Sequence, residues 1–571
     1  MVRRLLCTII LRNRDNRIST IVFAILVLLV LLPLLAVLFQ IFCPGLDFSQ
    51  FDLSNLSILG DVFTRPLWRK AFLNSLALAS GTTAVALVVA GGLAWIRTQY
   101  KFPLAKLLDL TAWVLMIIPS FILAQGWVYF SAGNGIAKAW LGLGWMSNYV
   151  FSFPGLVTVM TLCKWPMAYI TIKTALEWEP IRLMHAAHMN GANSLRVWKD
   201  IQLPLMLPAL CSAAMLIFMD TVGDYGLSST ITAVYSFPTL PYTIYSAICT
   251  SPARFDMAGV LSLCLMVLIV LAMFIQYKAM GSKRYDFLDN GTRKSEPREL
   301  SRGKTIGITV IAGIFCLIAL GIPIGSSLIM SFSSAISIDG FSFTLENYQS
   351  VFSPNSTLLE GITHSLGLAV IAAVIGLIIA FCCAYVLTYS KSPLKKAIDM
   401  TTLIAMAVPG VVLGVGYIFV WNQKWLVPLG LHLYGTPAIL VLAVVAAAIP
   451  LINRVLVAGM AKIPESLMTA AEMQGANFIT KIRTVMLPLL HNSAVSAVLS
   501  AFGGSIFNLA ITTILYPPNW TTLPVWISDS YNDLKFGQAA AATIVSGICI
   551  ITIMFVLERV LNMGNRKKGT V

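Results

Sequence analysis

Apolar and polar positions in this chain separate into long blocks instead of alternating with the period of a surface helix or strand. Twelve apolar runs fall at about residues 18–42, 72–96, 107–129, 154–173, 204–223, 256–277, 305–330, 365–389, 397–421, 437–457, 488–510 and 538–557. Each is about as long as a helix needs to cross a hydrocarbon layer. Backbone groups in lipid must be satisfied within their own segment, so the blocks predict an all-α polytopic membrane protein with twelve transmembrane helices. The first run follows Arg3, Arg4, Arg12, Arg14 and Arg17. It is too long for a signal-peptide core and no small-residue cleavage site follows it, which predicts an uncleaved anchor.

Composition agrees: 58% of the 571 residues are hydrophobic and 11% charged, which excludes an ordinary soluble protein. The ten cysteines have no CxxC spacing and most lie in apolar runs, so they read as small core residues and not as a metal site or disulfide framework. A net charge of +15 raises the question of nucleic acid. Its distribution answers otherwise. With the N-terminus inside, 31 of the 39 Lys and Arg fall in cytoplasmic tails, loops and inner span ends, seven fall outside, and Lys164 lies within a span. Membrane topology explains that surplus, both termini are cytoplasmic, and no nucleic-acid partner is needed.

One stretch occurs twice. Residues 180–205 read PIRLMHAAHMNGANSLRVWKDIQLPL, and residues 464–489, shifted by 284, read PESLMTAAEMQGANFITKIRTVMLPL; 12 of the 26 positions are identical. The helices repeat too. A shift of 290 aligns Ser75 with Ser365, Ala94 with Ala384, Pro103 with Pro393, Asp109 with Asp399, Pro119 with Pro409 and Gly126 with Gly416. The change from 290 to 284 puts six extra residues in the first half, most simply around Ser131 to Ser152. The chain therefore divides into a first unit, 1–277, a linker, 278–304, with twelve charged side chains, and a second unit, 305–571. Two parallel six-helix repeats predict a pseudo-two-fold axis along the membrane normal. Gly303-Lys304-Thr305 at the linker's end is no phosphate loop: Arg298 stands where the earlier glycine is required, and the threonine leads into a span.

In each copy, paired alanines, a glycine and a terminal Leu-Pro describe a short cytoplasmic helix, a tight turn and a second helix entering the membrane. Gly191 and Gly475 would permit a left-handed turn, and Pro204 and Pro488 would start the next helix. Here the sequence resembles the permeases of ATP-binding cassette importers, whose loop runs Glu-Ala-Ala, three residues, Gly, nine residues, Ile, one residue, Leu-Pro. Ala186, Ala187, Gly191, Ile201, Leu203 and Pro204 stand at that spacing, as do Ala470, Ala471, Gly475, Val485, Leu487 and Pro488. The first position departs, with His185 and Thr469 in place of Glu. The resemblance implies two permease units fused in one chain in a bacterial cytoplasmic membrane. It implies two coupling loops seated on a separate ATPase dimer that holds the ATP and Mg, an extracytoplasmic binding protein that delivers the cargo, and no catalysis or cofactor in this chain.

Three ionisable side chains lie within the apolar blocks: Lys164, and Asp220 and Asp224, four apart on one helix face. A lone charge there costs roughly 3 kcal/mol or more. Either these residues line the pathway or Lys164 and Asp220 pair to hold helices together. The counterparts of Lys164, Asp220 and Asp224 are Ala448, Gly504 and Asn508. Pro119, Pro166, Pro409 and Pro450 predict matching interruptions, as kinks or as hinges. His185 and His188 face Thr469 and Glu472 in the second copy, so they form no repeated metal pair. Asp224-Tyr225-Gly226 followed by Ile244-Tyr245 looks most like the ferric-iron permease group, with phosphonate, thiamine and polyamine permeases sharing the plan. A twelve-span transporter driven by an ion gradient is the competing class, and it would need no docking loop.

Overall fold

The computed structural model describes residues 16–43, 57–177, 181–232, 234–280, 297–337, 340–354 and 356–566. The N-terminal arginines through Arg14, Pro180 and linker residues 281–296 lie outside that set. The chain is overwhelmingly helical, with one antiparallel hairpin, Ser333–Ser337 with Gly340–Phe343. Among the described residues, ten helices are long and apolar enough to cross a membrane, and two bent helix pairs bring the number of spans to twelve.

The bent pairs fall at two of the four expected interruptions, Pro119 and Pro409, within the spans 107–129 and 397–421. Ala105–Ile117 turns by 108° into the segment that begins at Ser120, and Lys395–Ala407 by 111° into Gly410–Trp421. The cause is local: Pro119 and Pro409 force the preceding Ile118 and Val408 out of the helical region, to ψ 126° and 124°. Pro166 and Pro450 behave differently. They lie inside the uninterrupted helices Phe153–Glu177 and Pro437–Met460, the two spans most enclosed by protein, where neighbouring helices hold the backbone in place. The helix expected at 204–223 ends at Val222 as read, the one expected at 488–510 ends early at Ile506, and the chain restarts after each, as Tyr225–Thr232 and Leu509–Leu515. Two further helices, Leu240–Cys249 and Leu523–Asn532, complete the outer ends. Each is tied to a long span by the same bond: Leu240 N–H donates to Ser75 Oγ at 2.7 Å, and Leu523 N–H to Ser365 Oγ at 2.8 Å.

Four π-helical turns, Val27–Leu31, Trp198–Gln202, Leu317–Gly321 and Ile482–Met486, each end two residues before a proline: Pro33, Pro204, Pro323 and Pro488. A proline ring collides with the carbonyl four residues earlier, and one extra residue in the turn relieves the collision. Pro204 and Pro488 therefore do not open fresh helices, as the spacing suggested. They continue helices begun at Ser194 and Phe478 across a widened turn.

The chain forms two compact units that do not coincide with 1–277 and 305–571. One, the second-half unit, joins the first span and Arg254–Val260 to Tyr348 and the residues beyond; the other, the first-half unit, joins Leu59–Ala253 to Leu261–Asn347, which carry the seventh span. Each unit thus holds the opening span of the opposite sequence half. Glycine makes the seat. In the first-half unit a Cβ on Gly126 would overlap the Pro323 carbonyl, and in the second-half unit a Cβ on Gly416 would overlap that of Pro33. All four positions obey the 290-residue shift.

Candidate functional site

The two repeated loops take the same local form. Ile181–Met189 is followed by Gly191 at φ +80° and then Ser194–Val197; Glu465–Met473 is followed by Gly475 at φ +81° and then Phe478–Lys481. A left-handed φ strains any residue bearing a Cβ, which accounts for both glycines. Asn193 and Asn477 cap the second helices, their side-chain oxygens accepting from the N–H of Arg196 and Thr480, each at 2.8 Å. Ala186 and Ala470 are exposed in the first helices, where their small side chains keep the ridge low. Ala187 and Ala471 close the turns through their carbonyls, which accept from Ala192 and Ala476 N–H at 3.0 Å. Leu203, Pro204, Leu487 and Pro488 sit where the widened turns pass into the spans.

Three further residues per loop escaped the sequence reading. Met189 and Met473 are 89% and 85% exposed, Leu195 and Ile479 are 72% and 73% exposed, and Leu183 and Leu467 are exposed beside them. All three pairs obey the 284-residue shift. An apolar triplet thus stands exposed at corresponding places in the two loops. The signal was available: Met189 and Met473 are identical although polar residues surround them.

The loops differ in their bracing. In the second, Lys481 is buried and forms an ion pair with Glu472. In the first the counterparts are Val197, which is buried, and His188, whose Nδ1 lies 3.0 Å from the Ala192 carbonyl oxygen.

Within the first-half unit, Lys164 meets both carboxylates, Asp224 at 2.5 Å and Asp220. Asp224 is almost fully enclosed and its Oδ1 also accepts from Ser120 Oγ and from Leu227 N–H, both at 2.9 Å. It caps the helix that restarts at Tyr225. Asn508 does the same in the second-half unit, accepting from Ile511 N–H at 3.1 Å ahead of Leu509–Leu515. The capping roles explain a correlated exchange: where the cap is charged, Lys164 stands by to neutralise it, and where the cap is the neutral Asn508, Ala448 suffices. Asp220 remains, with its side chain 38% exposed. Two carboxylates against one ammonium leave this cluster one negative charge.

Comparison with known proteins agrees with this architecture. The model of the binding-protein-dependent transport system inner membrane component matches twice, over residues 84–284 and 372–567. The ferric transport system permease protein FbpB of Actinobacillus pleuropneumoniae is 22% identical over 493 residues, covering 85% of this chain and 69% of the relative. The probable ABC transporter permease protein y4fN of Sinorhizobium fredii is 22% identical over 515 residues, 88% of this chain and 89% of the relative. The putative 2-aminoethylphosphonate transport system permease protein PhnV of Salmonella typhimurium is 27% identical over 254 residues, 44% of this chain but 92% of the relative. The family model covers most of the chain in two copies, and the chain belongs to the binding-protein-dependent transport system inner membrane components, as a fused, non-enzymatic, multi-pass ABC importer permease of the bacterial inner membrane.

Proposed function

We propose that the chain forms the transmembrane pathway of an importer driven by a separate ATPase dimer, and that Leu183, Met189, Leu195, Leu467, Met473 and Ile479 are the apolar anchors on which that ATPase seats. The observation that carries this reading is the repetition of one exposed apolar triplet at corresponding places in the two loops. Buried apolar anchors supply most of an interface's free energy, so the triplets transmit the movement of the nucleotide-hydrolysing subunits into the spans. The test is co-purification of the full chain with its ATPase and measurement of ATP-dependent uptake in proteoliposomes. Met189→Ser with Met473→Ser should release the ATPase and abolish uptake. Uptake by the chain alone on an ion gradient would overturn the reading in favour of a secondary transporter.

The proposed cargo is ferric iron handed over by an extracytoplasmic binding protein. The ferric transport named for the relative FbpB and the second carboxylate at Asp220 support a cation. A phosphonate anion, suggested by the relative PhnV, would meet repulsion there. Uptake of radiolabelled iron against aminoethylphosphonate by the assembled system decides between them.

A further inference from the structure

On the outward side of the second-half unit, a pocket of about 440 Å³ opens between the segment that precedes Leu358–Tyr389 and the helix Leu523–Asn532 with its following loop. Its walls are mostly polar: Asp529, Ser530, Asp533, Lys535 and Gln538 line it, with Trp526 beside them. Both flanking spans run inward from here, because the C-terminal tail is cytoplasmic by the positive-inside rule, so the pocket faces the compartment from which cargo arrives.

The charges in the pocket stand where a helix does not want them. Asp529 and Asp533 are four apart, on one face, at the C-terminal end of Leu523–Asn532. Like charges at that spacing repel, and carboxylates at a helix C-terminus meet the negative end of its dipole. Lys535 answers Asp533 at 3.2 Å. The Asp529 carboxyl group has no hydrogen bond or ion pair among the described residues, and burial together with Asp533 pushes it up to about 6. Beside it, Ser530 lines the same pocket, is 8% exposed, and its hydroxyl has no partner among the described residues. The chain turns away through Leu534 at φ +62°, a left-handed conformation that leucine resists. The other unit lacks the charge: aligned on Leu240 and Leu523, the counterparts of Asp529 and Asp533 are Ser246 and Thr250.

We propose that this pocket seats a basic side chain, a lysine ammonium or an arginine guanidinium, projecting from the extracytoplasmic binding protein, with Asp529 and the Ser530 hydroxyl as its acceptors. The inference rests on the importer reading above. It assigns the basic part of the delivering protein's docking face to this unit, because the charge is present in one unit and absent from the corresponding place in the other. Charge complementarity of this kind acts on encounter and register.

The test uses the full chain with its ATPase in nanodiscs and the purified binding protein that stimulates the wild-type complex. The reading is the binding-protein concentration giving half-maximal ATPase stimulation. Asp529→Asn with Asp533→Asn should raise it about tenfold, flatten its dependence on NaCl, and leave maximal stimulation intact. Gln538→Glu, which adds a carboxylate to the wall, should lower it. An unchanged half-stimulating concentration in both variants overturns the proposal. So does a fall in maximal ATPase stimulation at saturating binding protein with an unchanged half-stimulating concentration, which would place the pocket in the coupling step and not in docking. If no binding protein stimulates the wild-type complex, the importer reading itself fails and takes this inference with it.

Discussion

The two units share a backbone plan and differ in charge. Both keep a proline-driven bend after Ile118 and Val408, a glycine seat at Gly126 and Gly416, and a capped restart at Asp224 and Asn508. Ion pairs gather in the first-half unit: Lys164 with two aspartates, and Asp109 with Arg97 at 2.8 Å, Lys173 at 2.7 Å and the Tyr169 hydroxyl at 2.7 Å. At the corresponding Asp399 the second-half unit has Arg454 at 3.3 Å, and the buried Asn453 amide, which replaces Tyr169, has no partner among the described residues. Duplication therefore preserved what the backbone needs, while side-chain electrostatics diverged. The charge at Asp224 and its counter-charge at Lys164 are present together in one copy and absent together from the other.

The largest expected effect comes from breaking that correlation. Lys164→Met leaves two carboxylates, one of them almost fully enclosed, with no ammonium, and should cost about 3–5 kcal/mol in thermal or denaturant unfolding. Adding Asp224→Asn reproduces the arrangement of Ala448 and Asn508 and should restore most of the loss. If Asp220→Asn rescues instead and Asp224→Asn does not, the capping account is wrong. Of intermediate size are the seats: Gly126→Ala and Gly416→Ala each drive a methyl group into a proline carbonyl, at an expected cost of about 1–3 kcal/mol. Equal losses in unfolding measurements would mark the seats as equivalent.

The smallest effect concerns Asp529, whose counterpart is the neutral Ser246. Its carboxyl is held at about 6, above the ordinary 3.8, so the folded state favours the protonated form. That contribution is complete below pH 3.8 and is lost as pH rises through 6. Asp529→Asn should therefore raise the unfolding temperature by about a degree or two at pH 7.5 and leave it unchanged near pH 4. A difference that persists at pH 4 would refute the assignment.

Much of this was legible in the residues themselves. Blocks of apolar residues predict the spans, and the two shifts, 290 and 284, predict which positions correspond. Pro119 and Pro166 show the limit of such reading, since both are prolines in apolar runs. The first bends the chain because Ile118 leaves the helix; the second stays within a helix enclosed by its neighbours, and that enclosure is a tertiary fact. Asp224 likewise reads as a buried charge. Its capping role depends on the helix that restarts at Tyr225, which hydropathy does not register. The exchange of opening spans was hidden for a further reason: Pro33 and Gly416 are 383 residues apart, and no local pattern links them.

That exchange has a consequence for biosynthesis. The seventh span is made after its seat at Ser120–Ser131 and docks on a surface already present. The first span emerges about 370 residues before Gly410–Trp421 exists to receive it. At bacterial elongation rates of roughly 5–20 residues per second, it waits in the bilayer for about 20–70 s with Pro33 and its widened turn uncovered. During that interval an insertase or lipid must shield a helix that has no seat to occupy.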